Sequence, residues 1–344
     1  MPLAIVGAGS LGQSFAGLLA ASGQPVTLLG TPASVDRLGS AGELRLRGQI
    51  THDVPVSAPP AVSGSVALTA DASRLPAGAG VIFLTKGQDL ASAIEAVRPA
   101  WPGSADDAAW VTGFQNGLAK DDLLARAFGP ARLVGGVTIL GAQRQADGSV
   151  SVTSLGKTYL GESAGGSSAR VDRAVAALLA AGIPTEAAPD IRSVLWSKAC
   201  NAAGVFGFSV LTRISAARMA GNPWLIRAYL SLVRETASIA SAYGVEVGDY
   251  TGFPIATYVG RSDEATIAAL TAQTTPSAAY GPSSLPSMTQ DLLAGRSLEV
   301  EAVFGDLLER AAQVQLAVPR LELATNLIRA LNPETGPVSA TDRR

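Results

Sequence analysis

Residues 2–23 read PLAIVGAGSLGQSFAGLLAASG. A short apolar run leads straight into Gly7-Ala8-Gly9-Ser10-Leu11-Gly12, which has the spacing G-x-G-x-x-G. An Ala/Leu-rich helical pattern follows and closes at Gly23. Each glycine has a mechanical reason. One permits a tight turn, one lets backbone approach a pyrophosphate, and one lets the helix pack closely on the strand. The helix N-terminus then meets the phosphates with unsatisfied N–H groups. Strand before and helix after is the context the motif needs, so residues 7–12 predict a dinucleotide-binding turn.

Outward from this turn, β-branched runs alternate with helical ones. PVTLLG, VIFLTKG (81–87), WVTGFQNG (110–117) and RLVGGVTILGAQ (132–143) read as strands. SVTSLGKTYLGE (151–162) reads as two short strand-like pieces, 167–182 as a helix, and 183–190 as a strand. This alternation predicts an α/β, Rossmann-type parallel sheet with crossover helices. After Asp190 the strand signal nearly vanishes and helical periodicity takes over. The predicted organisation is a dinucleotide-binding domain over 1–189, an all-helical substrate and dimerisation domain over 190–332, and a tail over 333–344. A cleft between the two domains is expected to take the substrate. Residues 271–288, rich in Ser, Thr, Pro and Gly, are expected to form a long functional loop.

Composition narrows the function. Net charge is −2 with no basic block, which gives nucleic-acid binding little electrostatic support. One cysteine, Cys200, excludes a disulfide framework within the chain. No apolar stretch is long enough to predict a membrane span, and the N-terminus lacks a signal-peptide pattern. The expectation is a cytoplasmic protein acting on a small molecule. The only histidine, His52, lies in a stretch that reads as an edge strand and loop. Histidine-based catalysis and a transition-metal site are therefore not expected.

An NAD binder should carry Asp or Glu at the end of the second strand. Gly30 and Thr31 stand there instead. Thr31 and Ser34 with Arg37, helped by Lys86, could take a 2′-phosphate, which favours NADP over NAD.

GAGSLG (7–12), FLTKGQ (83–88), FQNGL (114–118), LVGGVTILGA (133–142), YLGE (159–162), LWSK (195–198) and SMTQDLLAGRSLEVEAVFG (287–305) occur in the order and spacing of one family. The chain resembles the ketopantoate reductase (2-dehydropantoate 2-reductase) family along nearly its whole length. The resemblance implies NADPH-dependent reduction of a 2-oxo acid. It implies Lys198 as the catalytic lysine, with Glu299 orienting it and near the cofactor. It places Asn116 by the nicotinamide and Ser287 on the substrate. An ammonium at Lys198 would stabilise the charge that builds on a carbonyl oxygen and supply its proton.

The sequence also departs from the family. The asparagines expected four and eight residues after the lysine are Ala202 and Phe206, while Asn201 stands one place early. Those three residues are candidate lining of a more apolar substrate site. The arginine usual at the second strand's end is absent. Ser287-Met288-Thr289-Gln290 reads as a capping box. For Ser287 and Glu299 to serve one small molecule, the helix must break near Gly295, with Ser297 as a new N-cap. On an unbroken helix they would be roughly 18 Å apart. The alternatives are a reductase of a bulkier or more apolar ketone or imine, an opine-type dehydrogenase, or a non-catalytic dinucleotide sensor.

Overall fold

Alternate residues of β1 (Leu3–Val6) enter two different cores, as the period of a strand requires. Leu3 and Ile5 pack with Phe15, Leu18 and Leu19 of the helix Ser10–Ala21. Ala4 and Val6 pack with Leu90, Ile94 and Val97 of the helix Leu90–Ala100. A strand covered on both faces reads as an unbroken apolar run, which is why the first residues of the chain do so.

The computed structural model describes residues 2–100, 110–219, 221–272 and 285–333. Most of the loop expected over 271–288, and of the tail expected over 333–344, lies outside the described residues. The chain divides into two compact units. Met1–Gln115 and Ala119–Leu195 form the first; Asn116–Leu118 and Trp196–Arg344 form the second.

Among the described residues the first unit is built on ten strands: β1, β2 (Val26–Leu29), β3 (Glu43–Gly48), β4 (His52–Ser57), β5 (Val66–Thr69), β6 (Gly80–Phe83), β7 (Val111–Gly113), β8 (Val134–Arg144), β9 (Val150–Glu162) and β10 (Thr185–Ala187). Their order is β10-β9-β3-β4-β5-β2-β1-β6-β7, with β8 also on β9. The central strands β5, β2, β1, β6 and β7 are parallel. The pairs β3–β4 and β8–β9 are antiparallel. A parallel bridge from Val111 to Leu133 brings the chain just before β8 back beside β7.

Two expectations are corrected here. The edge strand expected around His52 holds only in part: His52–Pro55 pair with β3 alone, but Val56 and Ser57 at the strand's end pair with β5. Residues 150–162 form one strand, not two pieces. Irregularities in its pairing with β8 absorb the polar, glycine-containing middle that reads as a break.

The helix Ile191–Thr212 begins in the first unit and continues into the second. By length and composition it could cross a membrane, but 83% of its apolar window is buried, as in a core helix. In the second unit it crosses Pro223–Ala242 closely. A Cβ on Gly204 would lie 2.5 Å from the Tyr229 ring. Glu235 of the latter helix accepts from the N–H groups of Arg320 and Leu321, capping Pro319–Leu331. Among the described residues the only strand pairing in this unit joins Asp249–Tyr250 to Phe253–Pro254.

The end of β9 is fixed by Glu162. Its carboxylate accepts from Arg170 Nε at 2.7 Å and Nη2 at 2.5 Å, and from the Ser168 hydroxyl. Chiefly the Arg170 bonds, then Ser168, hold its carboxyl below the usual value of 4.5. A depressed carboxylate pKa contributes stability above the unfolded value, and this is lost as pH falls through the folded one. Glu162→Gln should therefore lower stability by about 1 kcal/mol at pH 7, after discount for the water that still reaches the pair. In urea melts the deficit should shrink as pH drops below about 4.

Candidate active site

In the first unit the glycine turn brings backbone against backbone. Gly7 has φ +113°, and a Cβ there would lie 2.7 Å from the Thr85 nitrogen. A Cβ on Gly12 would lie 1.8 Å from the Gly7 carbonyl oxygen. At Gly9 the same position meets nothing within 4 Å, so that face is open to a ligand. The helix Ser10–Ala21 starts with Gly9 as N-cap and no side-chain cap. Its first-turn N–H groups are thus left for an anion. Behind the turn, the Ala8 carbonyl accepts from Gln13 Nε2 at 2.9 Å and Arg144 Nη2 at 3.2 Å. Gln115 Nε2 donates to the carbonyls of Phe83 and Thr85, both at 3.1 Å, fixing the chain that presses on Gly7. This cradle fits a dinucleotide pyrophosphate.

At the end of β2, a Cβ on Gly30 would lie 2.9 Å from that of Ala8. The close approach leaves no room for a side chain there. Thr31 is the N-cap of Pro32–Ala41, accepting from the Ser34 N–H at 3.3 Å and donating to its hydroxyl at 3.0 Å. Arg37 is exposed further along this helix. Lys86 is half-buried just after β6, at the start of the turn Gly87–Asp89.

In the second unit, Lys198 Nζ donates to Asn116 Oδ1 at 3.4 Å, a long hydrogen bond. Gly117 explains how Asn116 arrives there. It has φ +87°, and a Cβ on it would lie 1.9 Å from the Ala302 carbonyl oxygen. Gly117 is thereby packed against Glu301–Gly305, where the helix widens to π-type bonding. Such widened turns are frequent at functional sites.

The helix Ser287–Leu293 stops, Gly295 takes φ +64°, and helical structure resumes at Val300. Glu299, 5% exposed, is the last residue before it. Ser297 is therefore not the new N-cap. Nor is Ser287 the cap of its own helix: Pro286 holds that position, and Gln290 Nε2 donates to the Leu285 carbonyl at 2.6 Å. The proline's fixed φ suits a helix entry and displaces the capping box by a residue. Ser287 is exposed, with no hydrogen-bond partner for its hydroxyl among the described residues. Its helix is tied down by Thr289, which donates to Ser209 Oγ at 2.9 Å.

Asn201 follows Lys198 by three residues on the same helix, and Ala202 and Phe206 are buried beyond it. Tyr229, which carries no sequence signal beyond an apolar helical position, donates its hydroxyl to Asn201 Oδ1 at 3.0 Å. Burial pushes the Cys200 thiol up, which removes it as a nucleophile.

A largely parallel sheet with an open glycine turn, followed by a helical unit that holds a lysine against an asparagine, defines a dinucleotide-dependent oxidoreductase. Residues 3–165 match the family model of ketopantoate reductase PanE/ApbA, and residues 190–332 match the model of its C-terminal part. The chain belongs to the ketopantoate reductase family and is an NAD(P)-dependent oxidoreductase that reduces a carbonyl. It is 29% identical to the 2-dehydropantoate 2-reductase of Halobacterium salinarum, over 96% of this chain and 98% of that one. The PanE/ApbA family ketopantoate reductase of Ralstonia eutropha JMP134 superposes with a TM-score of 0.75 at 24% identity, over 96% and 98% of the two chains. A D-mandelate dehydrogenase solved with NADH and anilino(oxo)acetate superposes with a TM-score of 0.77 at 19% identity, over the same shares.

Gly12→Ala forces a methyl into the Gly7 carbonyl. It should weaken NADPH binding, followed by nicotinamide fluorescence, by about tenfold or more, given how steeply close contacts are penalised.

Proposed function

We propose that the chain is an NADPH-dependent reductase of a 2-oxo acid whose side chain is bulkier or more apolar than that of ketopantoate. The observation that carries this reading is Lys198 held against Asn116 on a helix where Ala202 and Phe206 stand in place of hydrogen-bonding asparagines. A site that recognises hydroxyls does so through buried polar partners, and two of these are replaced by apolar groups.

In this reading residues 1–189 carry the cofactor, and residues 190–332 carry the substrate groups and a homodimer face. Leu323 and Leu327, exposed one turn apart on Pro319–Leu331, suit that face. The enzyme works in the cytoplasm. The turn at Gly7–Gly12 takes the pyrophosphate. Thr31, Ser34, Arg37 and Lys86 take the 2′-phosphate, since the end of β2 has no carboxylate to hold a free ribose hydroxyl. When bound, the nicotinamide supplies hydride. Asn116 orients the Lys198 ammonium, which stabilises the negative charge growing on the carbonyl oxygen and gives that oxygen its proton. Glu299 positions Lys198, and Ser287 holds a polar group of the substrate.

Lys198→Ala should lower kcat by about 100-fold or more, the range for losing an electrostatic stabiliser and its proton. NADPH binding should stay within about twofold, since the turn is untouched. Retention of wild-type kcat would remove Lys198 from the chemistry. Initial rates of NADPH and NADH oxidation with ketopantoate, 4-methyl-2-oxopentanoate and phenylglyoxylate would test substrate and cofactor. Higher kcat/KM for ketopantoate than for both others, or for NADH than for NADPH, would overturn the corresponding assignment.

A further inference from the structure

We infer that Tyr229 is a positioning residue that locks the Asn201 amide with its NH2 group as a donor for the carboxylate of a 2-oxo acid bound beside Lys198. The inference rests on the proposed reduction for the identity of the ligand, and on the following geometry for the site.

Asn201 is 7% exposed, so its amide is nearly withdrawn from water. Its Oδ1 is occupied by the Tyr229 hydroxyl at 3.0 Å. Its Nδ2 has no hydrogen-bond partner among the described residues. An amide carries two donors on nitrogen, and this nitrogen is not among the fully enclosed polar atoms, so it is open to an acceptor from outside the protein. The structure around Tyr229 leaves that ring little freedom. It is 2% exposed, lies against the bare backbone of Gly204, and meets the Tyr258 ring edge-on at 6.1 Å. A fixed phenol therefore holds the acceptor end of the amide, and only the donor end remains.

Asn201 is three residues from Lys198, and residues so spaced lie on neighbouring positions of one helix face. A ligand oxygen that accepts from Nδ2 is thus one helical turn from the ammonium. In a 2-oxo acid the carboxylate is adjacent to the carbonyl, so the molecule offers two acceptor groups at short spacing. A donor-only amide matches a carboxylate, which has no proton to give.

The test uses the full-length protein and two readouts. The first is steady-state kinetics with NADPH and the better of 4-methyl-2-oxopentanoate and phenylglyoxylate. Tyr229→Phe removes only the hydroxyl. It should raise KM about fivefold or more while kcat changes less than about twofold, because ground-state binding is what it loosens. Asn201→Ala should raise KM at least as much. In the double variant the Tyr229→Phe effect should disappear, since its target is gone. A purely structural tyrosine would lower the melting temperature in both backgrounds without this KM pattern. An unchanged KM in Tyr229→Phe, or full additivity in the double variant, would overturn the inference.

The second readout does not need turnover. Oxamate, an unreactive 2-oxo-acid mimic, should raise the melting temperature of the NADP-saturated wild type by preferential binding to the folded state. The shift should be lost in Asn201→Ala and reduced in Tyr229→Phe. If no 2-oxo acid is turned over but these shifts appear, the proposed reduction fails and this inference stands. If oxamate gives no shift in the wild type, or an equal shift in all three proteins, Nδ2 serves an ordered water and the inference fails.

Discussion

A cation on a helix with no polar face is the constraint around which the second unit is arranged. Lys198 is half-buried, and beyond it Ile191–Thr212 is buried along nearly its whole length. Withdrawing a charge even partly from water is costly unless polar partners meet it. Partners must therefore be brought in from elsewhere in the chain. Asn116, more than eighty positions earlier, belongs to this unit and not to the sheet that precedes and follows it. The sharp turn at Gly117 and the widened helical turn at Glu301–Gly305 fit one another because neither has an atom to spare at the contact.

The first unit solves a different problem with the same economy. Its sheet is covered on both faces, and the parallel centre needs crossover helices to reach from strand to strand. One of them, Ser10–Ala21, starts just past the end of β1 with no side-chain cap on its first N–H groups. In the proposed reduction, the donors and the cation are fixed before the substrate arrives, so that little reorganisation accompanies the growth of charge on oxygen.

Much of this was legible in the sequence because its causes are local. The run 3–12 contains its own strand, turn and helix start, and each requires only neighbouring residues. The change to helical periodicity after Asp190 is equally local. What was not legible depends on contacts distant in sequence. The His52 stretch reads as an edge strand because it is polar and interrupted by proline, yet four residues on Val56 and Ser57 pair with β5. The middle of 150–162 reads as a break because β8, which supplies its partners, is not visible from that segment alone. At 287 the hydroxyl pattern of a capping box was present, but Pro286 fixes the entry first. Tyr229 is the clearest case. Nothing marks it off from other apolar helical positions until the bare backbone of Gly204 and the amide of Asn201 are seen beside it.

The contact between Gly30 and Ala8 carries a consequence for how this enzyme can change. In many dinucleotide binders the residue ending the second strand is where selection trades one cofactor for the other, by exchanging a carboxylate for a cation. Here that position is sterically closed, because any side chain on residue 30 would push into the glycine turn itself. If the proposed cofactor site holds, drift in cofactor preference falls to Thr31, Ser34 and Arg37 around the start of Pro32–Ala41, which sit on exposed or half-exposed ground.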